Sequence, residues 1–341
     1  MQRQHAGVSL WLDGSYVSFA MRRTQRGQEA AMSAGLLQLR RYSGNPILEP
    51  RPQYRWEARS VFNCAVIRSR GLYHMLYRAV DPSLISSIGY AVSPDGIRWL
   101  RLDSPVLSPQ ESFEERGVED PRVVEIEGTY YMTYTGYSRQ GVRAALARSD
   151  NLITWERMGI VLPDENNKDH VLFPARIHGR YVMLHRRPPH IWIAFSHDLL
   201  HWEGHQILLR TRPGKWDCWR IGAAGPPIYT ERGWVLIYHG VDDRRCYRLG
   251  IVVLDADDPT RVLYQQDDPI LEPAEAWELF GDVPNVVFSC GQAPADSDYY
   301  VYYGAADSVI GLAIMVRQEL EELLAQATYQ SAPAAVSLAA S

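Results

Sequence analysis

The sequence predicts an all-β fold, a five-bladed β-propeller with a short C-terminal helix. Three observations predict it. One aromatic strand pattern occurs five times, with starts 57, 51, 53 and about 66 residues apart. Each copy is followed across a turn by a second apolar strand, as in a hairpin. Little of the 341-residue chain is left over with a helical period.

The elements follow in chain order. Residues 1–40 read as an N-terminal extension, with GQEAAMSAGLLQL as either a short helix or a linker. This stretch has no long apolar run ending in a small-residue cleavage site, so no secretion signal is expected and the cytoplasm is the expected compartment. Residues 41–316 are expected to form the propeller. Its aromatic strands are LYHMLYRA (72–79), TYYMTYTG (129–136), RYVMLHRR (180–187), GWVLIYHG (233–240) and YYVYYGA (299–305). The strands that follow are SSIGYAVS, VRAALARS, IWIAFS, LGIVVLD and VIGLAIM. SPDGIRW, SDNLITW and SHDLLHW then put Ser and Asp in a turn and a Trp at its end, a compact corner between strands. NPILEP (45–50), SPVLSP (104–109) and DPILEP (268–273) lie between repeats. Residues 317–341 hold a helix and a frayed tail, with Leu320, Leu323 and Leu324 on one stripe.

Composition removes several functions. Forty acidic residues against 35 Lys and Arg leave a net charge of −5, which argues against nucleic-acid binding. The most apolar late stretch, YYVYYGAADSVIGLAIMV, is broken by Asp307 and is too short for a membrane span. Cys64, Cys218, Cys246 and Cys290 stand far apart without a CxxC pair, so neither a disulfide framework nor a cysteine zinc site is expected. Twenty Tyr and 10 Trp against 7 Phe favour rings with a polar handle, which suit strands and also sugar-stacking clefts.

Aligning the five copies on Tyr77, Tyr134, His185, Tyr238 and Tyr303 makes Arg78, Thr135, Arg186, His239 and Gly304 equivalent. In a propeller such positions become neighbours at the axis, and here they hold a cationic group. Acids come from separate loops. Glu119 and Asp120 precede a strand in ERGVEDPRVVE, Asp307 follows the fifth copy, and Asn63 precedes the first. Pro121 favours an extended backbone at Asp120, a way to hold its carboxylate still. Lys168 and Asp169 begin the strand before the His185–Arg186 copy. A carboxylate beside Lys, Arg and His suits a dianion, because the carboxylate can serve as acid while the cations hold the anion. GxSxG, GxxxxGK[ST] and HExxH motifs are absent, and His197, His201 and His205 read as surface or packing residues.

From NPILEP to the fifth aromatic strand the chain resembles glycoside hydrolase family 130, the mannoside phosphorylases and related β-mannosidases. VFNCAVI, LYRAVD, GVEDPRVV, YYMTYTGYS, KDHVLFP, MLHRR, LIYHGVD and YYGAAD carry the resemblance. It implies a five-bladed propeller, Asp120 as general acid, and Asn63, Arg78 and Asp307 around the mannosyl group, with Tyr134 also assigned to substrate binding. It further implies phosphate binding by Lys168, Arg186 and His239. Lys168 stands where some members have Arg, and lysine binds phosphate as a point charge without a bidentate fork. Cys64 stands where Pro or Gly is common.

The activity so implied is inverting phosphorolysis by a glycosyltransferase-type phosphorylase. A β-1,4- or β-1,2-mannoside and phosphate give α-mannose 1-phosphate and a shortened sugar, with the proton travelling through the mannose 3-hydroxyl. Inorganic phosphate is the co-substrate and no metal or organic cofactor is expected. The partners are a β-mannoside oligosaccharide and phosphate, with no nucleic acid or membrane; a homo-oligomer through the N-terminal segment or helix 316–327 is compatible. An inverting β-mannosidase would instead need a second carboxylate about 6.5–9.5 Å from the acid, for which Glu231, Glu275 and Glu278 are sequence candidates. A non-catalytic glycan-binding propeller would use Trp56 and Trp219 as platforms. Loops 108–117 and 213–224 would set the acceptor, with Trp216, Trp219 and Arg220 as a wall.

Overall fold

The computed structural model describes residues 36–163 and 166–331. Most of the 1–40 extension, including residues 27–35 of GQEAAMSAGLLQL, lies outside the described residues. The compact unit starts at Leu37, and Leu37 and Leu39 are buried in its core, so the body of the fold begins a few residues before 41.

Strand β1 (Arg40–Arg41) comes first. β2 (Ser60–Ser69), β3 (Leu72–Val80), β4 (Ser86–Ser93) and β5 (Leu100–Arg101) form an antiparallel meander. β6 (Gly117–Ile126), β7 (Thr129–Ser138), β8 (Gly141–Ser149) and β9 (Glu156–Leu162) form a second, joined to the first by one parallel bridge from Ser86 to Gly117. The third is β10 (Lys168–Leu172), β11 (Tyr181–Arg187), β12 (His190–Ser196) and β13 (Glu203–Leu209). In the fourth, β14 (Arg220–Ala223) and β15 (Ile228–Thr230) both pair with β16 (Gly233–Val241), followed by β17 (Tyr247–Leu254) and β18 (Val262–Gln265). The last has β19 (Val287–Pro294), β20 (Tyr299–Ala305) and β21 (Val309–Met315). Its outer place is filled by β1, with Arg40 opposite Ile314 and Arg41 opposite Ala313. The chain is all-β and propeller-like.

The recurring aromatic strands are β3, β7, β11, β16 and β20, each second in its meander. They are therefore not the innermost strands. The strands before them abut one another: β2 touches β19 and β6, β6 touches β10, and β10 touches β14. Alternation on β3 and its counterparts buries one face against each neighbouring sheet, which is why these strands read as nearly continuous apolar runs.

The repeated tyrosine anchors its sheet. Tyr77 donates to Glu57 (2.7 Å), Tyr134 to Glu114 (2.7 Å), Tyr238 to Asp217 (3.0 Å) and Tyr303 to Glu278 (2.8 Å). Each acid is fully buried and paired with an arginine, Arg51, Arg157, Arg212 and Arg41 respectively. Trp56, Trp216 and Trp277, each preceding its acid in sequence, stack on Tyr77, Tyr238 and Tyr303. The third meander replaces this set with His185, whose ring nitrogens lie 2.9 Å from Asn167 Nδ2 and 3.0 Å from His205 Nδ1.

The corners form as expected. Ser93 and Asp95, Ser149 and Asn151, and Ser196 and Asp198 accept hydrogen bonds from the backbone N–H groups that follow them. His201 bonds to Asp198 and His205 to His185, so these histidines belong to the corner and the meander. Leu48, Leu107 and Leu271 of the three proline-containing stretches each make a single bridge to the third strand of a meander, β21, β4 and β17 respectively. A one-turn helix α1 (Ala276–Leu279) precedes β19, and helix α2 (Arg317–Ser331) buries Leu320, Leu323 and Leu324. Among the described residues no helix is long and apolar enough to cross a membrane.

Candidate active site

A cavity of about 180 Å³ opens where the first strands of the meanders converge. Its polar side chains come from a repeated irregularity. In β2, β6 and β10 the ladder breaks at one register, and the extra residues there include Asn63, Asp120 and Asp169. Their φ angles are +46°, +52° and +53°. Asp307, between β20 and β21, has φ +50°. A β-bulge re-aims the side chain it carries, and these four reach the cavity. Asp120 is thus left-handed and not extended as Pro121 suggested. The bulge decides its conformation.

One end of the cavity is built around Asp120. Its Oδ1 accepts from Asn63 Nδ2 at 2.8 Å and Arg78 Nη1 at 3.2 Å, and its Oδ2 lies 3.6 Å from Lys168 Nζ. Glu119 lies between the same two cations, 2.6 Å from Arg78 and 2.8 Å from Lys168. Burial would raise the Asp120 carboxyl, but Arg78, Lys168 and Arg122 outweigh it and hold it at about 2. Asp307 behaves oppositely. Burial pushes it up to about 6, opposed by Arg78 and reinforced by Asp120.

The other end is cationic. Arg186 donates to Asp169, which also accepts from the fully buried Arg122 at 3.3 Å. Burial would raise Asp169, yet Arg186, His239 and Arg122 hold it well below the usual carboxylate range. The Arg186 Nε is buried without a partner. Beside it Arg220 donates to the Tyr247 hydroxyl, and its own Nε is likewise buried and unpartnered. Among the described residues no carboxylate pairs with Arg220. Burial lowers the pKa of Arg186, with Asp169 opposing and the Arg220 charge adding to the effect. Two adjacent guanidinium groups lining one cavity, each with a buried donor left unpaired, suit an oxyanion.

Several sequence expectations need correction. Of the five aligned positions, Arg78 and Arg186 line the cavity. His239 does not. It is fully buried behind Asp169, with Nε2 at 3.3 Å and its ring 4.3 Å from that of cavity-lining Phe288. Burial lowers its pKa, against the pull of Asp169. Lys168 lines the cavity but bonds the Glu119–Asp120 side. Tyr134 is fully buried with its hydroxyl on Glu114, outside the cavity. Trp216 and Trp56 stack on strand tyrosines, and Trp219 carries the Arg220 and Arg245 guanidiniums at 4.3 and 3.4 Å from its ring. Of that acceptor wall, Arg220 reaches the cavity. Glu278 and Glu275 cap helix α1, and Glu231 lines a different cavity beside α2.

Glu119, Asp169 and Tyr247 are site residues that the sequence reading left without a role, and Arg220, expected in the acceptor wall, lies at the cationic end. A signal for Asp169 existed, since Asn63, Asp120 and Asp169 stand 57 and 49 residues apart, close to the strand repeat. Arg220 and Tyr247 carry no such register.

The chain is similar to known proteins in both sequence and fold. A family model described as β-1,4-mannooligosaccharide phosphorylase, glycoside hydrolase family 130, matches residues 38–326. The chain is 51% identical to a 1,2-β-oligomannan phosphorylase of Thermoanaerobacter, over 84% of this chain and 100% of that protein. It is 46% identical, with the same coverage, to a β-1,2-mannobiose phosphorylase of the same organism. A solved β-1,2-mannobiose phosphorylase from Listeria innocua, in complex with β-1,2-mannobiose, superposes with a TM-score of 0.77 at 30% identity. That match covers 84% of this chain and 99% of the other.

Proposed function

The chain belongs to glycoside hydrolase family 130, and from that premise we propose that it is a phosphorylase of β-1,2-linked mannosides, acting with inversion to give α-mannose 1-phosphate. As a phosphorylase of a glycoside hydrolase family it is not a glycosyltransferase. The β-1,2 linkage, in preference to β-1,4, rests on the names of the relatives most similar in sequence. Five meanders with β1 completing the last support five blades around one axis.

One observation carries the reading. The same cavity holds an acid anchored by Arg78, Lys168 and Asn63 at one end and, at the other, the Arg186–Arg220 pair, whose Nε groups are buried without a partner. The mannosyl group lies at the Asn63, Arg78 and Asp307 end. Phosphate lies against Arg186 and Arg220, with Lys168 between it and the acid and His239 supporting Asp169 from behind. Phosphate oxygen bonds to the anomeric carbon as the bond from that carbon to the leaving oxygen breaks. The leaving oxygen takes a proton from Asp120 through the mannose 3-hydroxyl. Net, HPO₄²⁻ gives up one proton and the released sugar gains one, so the reaction balances without an outside acid. Asp120 is ionised in the free protein, so its proton arrives with the substrates. A phosphate dianion beside Lys168 weakens that cation's hold on Asp120 and raises its proton affinity. The reaction draws on no metal or organic cofactor, and we place it in the cytoplasm.

Two variants test the assignment. Arg186→Ala raises the phosphate KM at least tenfold, because it removes charge-assisted bonds worth about twice neutral ones, and leaves the mannoside KM within about threefold. Asp120→Asn keeps mannoside binding and loses turnover by about 10²–10⁴-fold. Normal phosphate saturation in the first, or near-normal turnover in the second, rejects the corresponding role.

A further inference from the structure

Asp307 is held differently from the other cavity acids. Asp120 and Asp169 sit inside strands and form ion pairs, whereas Asp307 stands on the short turn between β20 and β21. Ala306 and Asp307 are both left-handed, with φ of +45° and +50°. Two successive residues other than glycine stay in that region only where the surroundings over-determine them.

The surroundings are the loop 280–286. Val283 N–H donates to Ala306 O (3.1 Å), and Ala306 N–H donates to Val286 O (3.1 Å). Asp282 N–H donates to Ser308 Oγ (3.1 Å), and that hydroxyl donates to Ala306 O (2.9 Å). Gly281 packs so tightly that a Cβ there would stand 2.4 Å from Ala306 O. The loop is then tied across to the first meander. Arg59 Nε donates to Asp282 Oδ2 at 2.9 Å and Arg59 Nη2 to Oδ1 at 3.0 Å, a bidentate fork. Arg59 N–H donates to Val80 O, beside the start of β2, and Val61 N–H donates to Ser308 O. β2 carries Asn63 and β3 carries Arg78, so the fork joins the loop holding Asp307 to the strands presenting the other two groups at this end. Neither Arg59 nor Asp282 lines the cavity. The far end of the loop is fixed separately, because Tyr247 N–H donates to Asn285 O at 2.9 Å.

We propose that Arg59 and Asp282 are positioning residues, whose bidentate pair pins loop 280–286 onto the Ala306–Ser308 turn and so aims Asp307 at the mannosyl unit. This rests on the placement of that unit at the Asn63, Arg78 and Asp307 end. An exposed ion pair contributes little by itself. Its leverage here comes from the strained turn that the loop keeps in place. Because Tyr247 anchors the other end of the loop, the phosphate side is insulated from the pair.

The test uses the full chain with β-1,2-mannobiose and inorganic phosphate. Arg59→Ala and Asp282→Ala each raise the mannoside KM about five- to tenfold while the phosphate KM stays within about twofold. Arg59→Lys, which keeps charge without the fork, falls between. The charge-swapped pair Arg59→Asp with Asp282→Arg recovers most of the loss, beyond the sum of the single effects. An unchanged mannoside KM in both single variants overturns the proposal. So does an equal rise in both KM values with a lowered melting temperature, or a swapped pair no better than the singles. If the unmodified protein releases free mannose without phosphate, the phosphorylase reading fails, and the pair is still judged by the mannoside KM of that hydrolysis.

Discussion

Asn63, Asp120, Asp169 and Asp307 all present their side chains from left-handed backbone, with φ between +46° and +53°. Each such residue costs about 1–3 kcal/mol, and such strain clusters at active sites. The residue types were legible because acids and cations recur beside the repeated strand. Their conformations were not, because a bulge is a property of two paired strands and Pro121 suggested the reverse. The sign of each charge was only partly legible. His239 looks cationic in sequence, whereas its burial in the fold lowers its pKa against the pull of Asp169. Asp169 joins Arg122, Arg186 and His239, and its loss leaves buried positive charge uncompensated. Asp169→Asn therefore lowers stability by about 3–5 kcal/mol in urea unfolding at pH 7. Because the fold holds this carboxyl well below its ordinary value of about 3.9, its contribution is complete above that pH. It drains as the pH falls towards the folded-state value, so the gap between the two proteins narrows below about pH 4. A gap that stays constant down to pH 2 would remove Asp169 as its source.

At the scale of elements, the strands, corners and C-terminal helix were legible because periods of 2 and 3.6 and turn residues are local signals. The buried acids Glu57, Glu114, Asp217 and Glu278 were not. They lie 20, 20, 21 and 25 residues from the tyrosines they accept from, beyond any local period. Without its acid, a repeated tyrosine near a strand end, such as Tyr134, looks like a ligand-facing group. Tyr134→Phe removes one hydrogen bond to a buried charged group and lowers stability by about 1.5–3 kcal/mol. The same protein keeps both KM values within about twofold. Denaturant unfolding with steady-state kinetics reads both, and a mannoside KM raised tenfold at unchanged stability would return Tyr134 to the substrate site. Among the described residues, His185 in this position of the third meander bonds to Asn167 and His205 and to no acid.

At the scale of the whole molecule, the start of the described chain pairs with its end. β1 completes the sheet of β19–β21, and Arg41 from β1 pairs with Glu278 at 2.7 Å. This closure was not legible, because two residues carry no periodicity, although the five strand repeats already required some way to finish the last sheet. The cavity at the meeting point of the first strands separates a carboxylate end, suited to a sugar and its proton, from an Arg186–Arg220 end suited to an oxyanion. A hydrolase would use water as the nucleophile and gain nothing from the second end, whereas a phosphorylase needs both. The most direct measurement is product analysis of β-1,2-mannobiose cleavage with and without phosphate. Phosphorolysis gives rates that saturate with phosphate and one α-mannose 1-phosphate for each mannose released. Free mannose as the sole product, formed at an undiminished rate in phosphate-free buffer, would contradict it.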